Sequence, residues 1–304
     1  MNIIETVRLT RRYRKTEAVH ELNLAVPEGS VTALLGPNGA GKTTTLKLLM
    51  HQLEASSGSA TVLGVDSRLL GERERAQIGY ISENQQLPDW MSVGQFLDFC
   101  RPFYPTWDRA LEAKLLSQFD LPPDRPLRQL SRGMRMKAAL LSSLAYRPRL
   151  LVLDEPFSGL DPLVRDDVVR GLLEAAQLGE WSVLVSTHDI EEVERLSDRI
   201  ALLESGRLQF AESTESLLNR FRSIELTLPS TQPLPTQAEA GWLDWRQEGE
   251  LVRYVDPTFA GAGSEAAIAA RHPYAAVRIR PLSLRDIFIS MGRSRRNPRK
   301  GVQS

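Results

Sequence analysis

The stretch Gly36-Pro37-Asn38-Gly39-Ala40-Gly41-Lys42-Thr43-Thr44 reads G-x-x-x-x-G-K-T. Apolar Val31-Thr32-Ala33-Leu34-Leu35 precedes it and helix-forming Leu46-Lys47-Leu48-Leu49-Met50 follows it. Strand, glycine loop and helix in that order form the setting that a phosphate-cradling loop requires. The glycines let backbone N–H groups turn toward an anion, and the helix beginning near Lys42 adds its partial positive end. In such a loop Lys42 would reach the β- and γ-phosphates of a nucleoside triphosphate, and the Thr43 hydroxyl would bind Mg²⁺.

The rest of the chain fits a soluble globular protein. Its 304 residues, 42% hydrophobic and 25% charged, allow one large or two ordinary domains. Lys plus Arg balances Asp plus Glu at 38 each, so global charge gives no reason to expect a nucleic-acid partner. Cys100 is the single cysteine, which excludes an intramolecular disulfide and fits a reducing compartment. Glu5, Arg8, Arg11 and Arg12 interrupt the N-terminal residues, so no secretion signal is expected there. Nor does any window approach the roughly 18 apolar residues of a membrane span.

Strand-like and helix-like segments alternate along residues 1–210. Leu150-Leu151-Val152-Leu153, Val183-Leu184-Val185 and Ile200-Ala201-Leu202-Leu203 read as buried parallel strands. The expected fold is therefore α/β with a mainly parallel sheet, and the pattern turns helical from about residue 90 to 147. Ligands should lie at the carboxyl ends of the parallel strands. Trp90, Phe96, Phe99, Phe103, Tyr104 and Trp107 crowd one short region, as either a hydrophobic groove or a local aromatic core. After residue 222 the pattern changes to that of a small α+β accessory domain over 223–292, of ferredoxin-like type. No stretch beyond residue 210 reads as a small-molecule pocket. Residues 293–304 form a basic tail, with Arg293, Arg295, Arg296, Arg299 and Lys300, read as solvated and disordered or as a contact for anionic lipid.

Two further stretches bear chemistry. Asp154-Glu155 ends the apolar run, where one carboxylate can hold Mg²⁺ with Thr43 and the other can polarise a water for in-line attack. Leu130-Ser131-Arg132-Gly133-Met134 opens a helix, with Ser131 at its N-cap, and offers a second anion-binding helix end.

Taken in order, Gly36–Thr44, Leu130–Met134, Leu150–Glu155, Ser158-Gly159-Leu160-Asp161 and Ser186-Thr187-His188-Asp189 resemble the nucleotide-binding subunit of an ATP-binding cassette (ABC) transporter. The likeness covers about residues 1–210, within a cassette placed at 1–222, and implies a P-loop NTPase core of mainly parallel sheet with an antiparallel β subdomain and a helical subdomain at about 84–147. It implies an ATPase using ATP and Mg²⁺. Tyr13 would stack on adenine; Gly36, Pro37, Asn38, Gly39, Ala40, Gly41, Lys42, Thr43 and Thr44 would hold the phosphates; Thr43 and Asp154 would bind the metal. Glu155 would orient or activate the attacking water, and His188 would touch the γ-phosphate. Ser131 and Gly133 would contact ATP bound to a second ATPase subunit, identical or closely related, with Asp161 at the dimer interface. The resemblance also implies an integral membrane permease docked near residues 84–130 and a peripheral position on the cytoplasmic face of the cell membrane.

Three positions, in two motifs, depart from the family's usual pattern. Arg132 and Met134 stand where glycine and glutamine are common, and Glu83 stands where glutamine is common. A carboxylate at position 83 adds negative charge beside the phosphates. Both departures resemble those of an exporter-type subset with a separate permease. The competing expectation is a soluble ABC ATPase uncoupled from transport. One uninterrupted cassette and neutral charge weigh against ribosome- or DNA-acting members.

Overall fold

A computed structural model describes residues 1–14, 16–83, 85–177, 181–229 and 241–296. The chain divides into two compact units, Met1–Glu212 and Ser213–Ser304. The first begins with β1 (Asn2–Tyr13), β2 (Thr16–Leu22) and β3 (Ala25–Pro27). β4 (Val31–Leu35) then enters a second sheet, and α1 (Lys42–Leu49) follows the glycine loop. β5 (Ser57–Val62) and β6 (Val65–Asp66) return to the first sheet, which is antiparallel and five-stranded. After the short α2 (Glu72–Arg75) comes β7 (Ile78–Ile81).

Three helices occupy the middle of the unit, α3 (Val93–Cys100), α4 (Arg109–Gln118) and α5 (Arg132–Leu144). Each start has a side-chain reason. The Ser92 and Asp108 side chains accept backbone N–H groups at the first two, and Ser131 accepts that of Met134 at the third. The unit closes with β8 (Leu150–Asp154), α6 (Pro162–Gln177), β9 (Ser182–Thr187), α7 (Ile190–Leu196), β10 (Arg199–Glu204) and β11 (Arg207–Ser213).

The second sheet runs β11-β10-β4-β9-β8-β7, and from β10 to β7 every pairing is parallel. All residues of β8 and β9 are buried, as continuous apolar runs covered on both faces must be. Register aligns the carboxyl ends: Leu35 lies opposite Thr187, Asp154 opposite Ser186, and Ile81 opposite Leu153. The segments leaving these strands therefore converge at one edge, where the site forms. The mixed α/β architecture expected from the alternation is observed.

The aromatic crowd divides. Phe96 is buried, Tyr104 stacks on Tyr146 with centroids 3.8 Å apart, and Trp107 Nε1 donates to Glu112. Trp90, Phe99 and Phe103 remain exposed.

In the second unit, α8 (Thr214–Arg220) precedes a four-stranded antiparallel sheet. β12 (Arg222–Thr227), β13 (Leu243–Glu248) and β14 (Leu251–Asp256) lead to α9 (Ala262–Arg271), β15 (Ala276–Pro281) and α10 (Leu284–Arg296). Ile224, Leu226, Val252, Tyr254, Phe259 and Ile268 make its core. The unit begins earlier than the boundary near residue 222, because Arg220 at the end of α8 bonds both Pro257 and Phe259. The strand order β13-β14-β12-β15 matches a ferredoxin-like sheet, and so does the antiparallel pairing of β12 with β14 at its centre. The ferredoxin-like expectation therefore agrees with this sheet, whose pairings are all antiparallel, with α9 between β14 and β15. Beside α9 lies a cavity of about 400 Å³ lined by Trp242, Tyr254, Asp256 and Arg271, which residue patterning did not reveal. α10 continues through Arg293 to Arg296, so the tail starts helical; residues 297–304 lie outside the described residues.

Leu226 is fully buried in the second core, so Leu226→Ala should destabilise that unit by about 2–5 kcal/mol. Urea unfolding followed by the fluorescence of Trp242 and Trp245 checks this, and an unchanged midpoint would contradict the assigned core.

Candidate functional site

The glycine loop is held by its neighbours as much as by its own flexibility. A Cβ at Gly36 would lie 2.2 Å from the Leu203 carbonyl oxygen, and one at Gly41, where φ is +103°, would lie 2.2 Å from that of Ala18. Steric exclusion by β10 and β2 thus demands glycine at both ends of the turn. Pro37, Asn38 and Gly39 are exposed at its tip, whereas Ala40 packs inward. Lys42 is 5% exposed. Its ammonium donates to the carbonyls of Gly36 (2.7 Å) and Pro37 (3.2 Å) and lies 3.0 Å from Glu155 Oε1.

Asp154 sits at the end of β8. Its Oδ1 accepts from the Thr43 hydroxyl at 3.0 Å and from the Ser186 hydroxyl at 2.7 Å. Ser186 also accepts from the Glu155 N–H through both its hydroxyl and its carbonyl. This double grip accompanies a left-handed Glu155 backbone, φ +48°, an uncommon conformation for a residue with a side chain. The Glu155 carboxylate is thereby turned between Lys42 and His188, whose Nδ1 lies 2.9 Å from Oε2. Glu155 Oε1 is buried and makes no hydrogen bond, only the ionic contact with Lys42.

A partly buried ionic network supports this loop. The Thr187 hydroxyl donates to Glu192 and accepts from the Asp189 N–H, while Arg165 of α6 bridges Asp189 at 2.9 Å and Glu192 at 3.4 Å. His188 is therefore flanked on both chain sides by anchored residues. Burial pushes the Glu192 carboxyl up to about 7. Because the folded value exceeds the unfolded one, stability contributed by the protonated form is present at low pH and lost as pH rises toward 7. Glu192→Gln should accordingly gain thermal stability relative to the parent between pH 5 and pH 8, read from melting temperatures. A gain that shrinks with rising pH would refute the assignment.

The other sequence-marked residues are placed as follows. The Ser131 hydroxyl caps Met134 of its own helix, and among the described residues no hydrogen bond joins it to the glycine loop. Gly133 is buried against α6; a Cβ there would lie 2.5 Å from Val164 Cγ1, so helix packing alone already requires glycine. The Asp161 carboxylate accepts from Val164 N–H at the start of α6. Tyr13 is half-exposed, with the Arg11 guanidinium 4.6 Å from its ring centroid. Thr44 is half-buried in the first turn of α1. Glu83 accepts from the Ser158 hydroxyl at 3.0 Å. Sequence reading gave no role to Ser186, Arg165 or Glu192. Ser186 stood inside a quoted stretch, but nothing local marks Arg165 and Glu192 as partners.

Among the described residues no cluster of three or more His, Cys, Asp or Glu can hold a metal. The Thr43 hydroxyl and Asp154 carboxylate are hard oxygen donors that suit Mg²⁺, an ion that takes the rest of its shell from water and phosphate. Beneath the helical region a groove of about 330 Å³ is lined by Ile78, Tyr80, Gln85, Phe96, Tyr104 and Tyr146.

Fold and site define a P-loop nucleoside triphosphatase. The family model for ABC transporters matches residues 19–158. An uncharacterized ABC transporter ATP-binding protein of Synechocystis is 34% identical, over 75% of this chain and 67% of its own. The daunorubicin/doxorubicin resistance ATP-binding protein of Streptomyces peucetius is 35% identical, over 84% and 78%. A sulfate/thiosulfate import ATP-binding protein of Salmonella typhi is 31% identical, over 70% and 60%. The solved ATP-binding subunit of an ABC transporter superposes with a TM-score of 0.64 at 27% identity, covering 71% of this chain and 91% of that one. The chain belongs to the ATP-binding proteins of ABC transporters, and it is an ATPase that takes ATP with Mg²⁺.

Proposed function

We propose that this subunit closes head-to-tail with a second copy around two Mg-ATP and drives a separate membrane permease, in the direction of export. The observation that carries the reading is the meeting of Lys42, Thr43, Asp154, Glu155 and His188 at one strand edge, with Ser131 capping a helix elsewhere in the chain. One copy then supplies base and metal ligands, and the other supplies the N-terminal end of α5 to the charge that develops in transfer.

Lys42 is the cation for the β- and γ-phosphates, which compete with Glu155 for its ammonium. Held by Thr43 and Asp154, Mg²⁺ would neutralise charge on the phosphate oxygens. Glu155 takes the proton of the attacking water, and His188, bonded to the same carboxylate, orients it toward the γ-phosphate. Attack breaks the bond to the terminal phosphoryl group and leaves ADP and phosphate. Tyr13 stacks on the adenine, and Asp161 lies at the interface between copies.

The groove lined by Phe96, Tyr104 and Tyr146, with exposed Phe99 and Phe103 near it in sequence, is the docking surface for an apolar helix of the permease. Among the described residues no helix is long and apolar enough to cross a membrane; a peripheral position on the cytoplasmic face goes with the proposed permease. Export draws on the drug-resistance relative; the import relative is the reason direction must be measured. Vesicles carrying the subunit with its co-purified membrane protein should expel cargo on addition of ATP to the side bearing the subunit. Cargo accumulation instead would reverse the direction, and the absence of any co-purifying membrane protein would overturn the transport reading.

Two substitutions separate binding from turnover. Glu155→Gln should lower ATPase activity roughly 100-fold or more while leaving ATP bound, and it should run as a dimer on gel filtration with ATP and Mg²⁺. A monomer at saturating ATP would overturn the shared-site reading. Lys42→Ala should weaken ATP binding about tenfold or more, measured by titration with a fluorescent ATP analogue.

A further inference from the structure

Two of the positions that depart from the family's usual pattern, Glu83 and Arg132, meet in the folded chain. They stand 49 positions apart in sequence, yet Arg132 Nη2 lies 3.9 Å from Glu83 Oε1. The same Glu83 oxygen accepts from the Ser158 hydroxyl at 3.0 Å, and Ser158 N–H donates to the Glu155 carbonyl. Arg132 is steadied from below: its guanidinium lies over Gly159, where a Cβ would come within 2.6 Å of Nη1. Register places Glu83 beside the catalytic carboxylates, because Ile81 of β7 pairs with Leu153 of β8, so each strand delivers its acidic residue at the same edge.

Charge is the consequence. Asp154, Glu155 and Glu83 put three carboxylates at the ends of neighbouring strands, and Lys42 is committed to Glu155 and the loop carbonyls. An added carboxylate there repels phosphate. We infer that Arg132 is a positioning residue whose guanidinium offsets Glu83 and, with Ser158, fixes its carboxylate away from the phosphates. The two departures are one compensating substitution, and each is tolerable for ATP binding because of the other. This rests on the assignment of Gly36–Thr44 as the triphosphate site.

A double-mutant cycle on the full chain tests it, with Mg²⁺ and mant-ATP as the probe and equilibrium fluorescence as the readout. Parent, Arg132→Met, Glu83→Gln and the double variant are compared at about 10 mM and about 1 M salt. At low salt Arg132→Met should weaken mant-ATP binding about threefold when Glu83 is present, the scale of an exposed ion pair. The loss should vanish in the Glu83→Gln background and at high salt, and Arg132→Lys should retain parental affinity. Arg132→Gln carries the same cycle if the Met variant does not fold. Equal losses in both backgrounds, or no loss with Glu83 present, would overturn the compensation. If Lys42→Ala also binds mant-ATP as the parent does, the triphosphate-site assignment falls and the compensation with it. Loss of binding in Lys42→Ala with no coupling in the cycle defeats the compensation alone.

Discussion

One carboxylate oxygen holds the catalytic edge together. Asp154 Oδ1 accepts hydroxyl bonds from Thr43, at the start of α1, and from Ser186, at the end of β9. It thereby ties the glycine loop, the strand that ends in Asp154-Glu155, and the strand that leads to His188. That convergence is possible only because β4, β9 and β8 are parallel neighbours in matched register. A slip of one residue in β8 would turn Asp154 to the opposite face of the sheet and separate all three elements. Ser186 adds the grip on the Glu155 N–H, which accompanies an otherwise disfavoured backbone and aims the carboxylate at Lys42 and His188.

The surrounding electrostatics follow from the same crowding. Parallel strands that end together bring their terminal acids together, and a buried charge is costly unless paired. The chain meets this with Lys42 against Glu155, with Arg165 against Asp189 and Glu192, and with Arg132 against Glu83. These pairs differ in burial. Lys42 and Glu192 are nearly inaccessible, so their interactions are weakly screened, whereas Arg132 and Glu83 face solvent and respond to salt.

Much of the site was legible beforehand because its parts are local. The glycine loop needs a particular backbone, the buried strands need unbroken apolar runs, and Ser131 and Asp108 cap helices three residues or fewer away. Less legible were contacts that depend on distant partners. Gly133 looked like a phosphate contact, yet its first requirement is room for Val164; Gly36 is imposed by a carbonyl of β10. The aromatic crowd could not be divided into core and surface from spacing alone, because Phe96 and Phe99 lie on one short helix and meet different surroundings. In the second unit β13 and α8 escaped notice, although the ferredoxin-like strand order was expected.

Sequence by itself determined the groups on offer: a glycine loop suited to phosphate, a hydroxyl and a carboxylate suited to Mg²⁺, a second carboxylate, a histidine, and the order in which the chain presents them. These are properties of residue type and near-neighbour spacing, which the backbone reads over a few residues. Only the tertiary structure decided which of those groups touch. The grip of Ser186 on Asp154, the clamp of Arg165 around the His188 loop, and the pairing of Glu83 with Arg132 span 24 to 49 positions of chain. Such proximity is set by strand register and helix packing, which depend on the burial of the whole core rather than on any segment's own pattern.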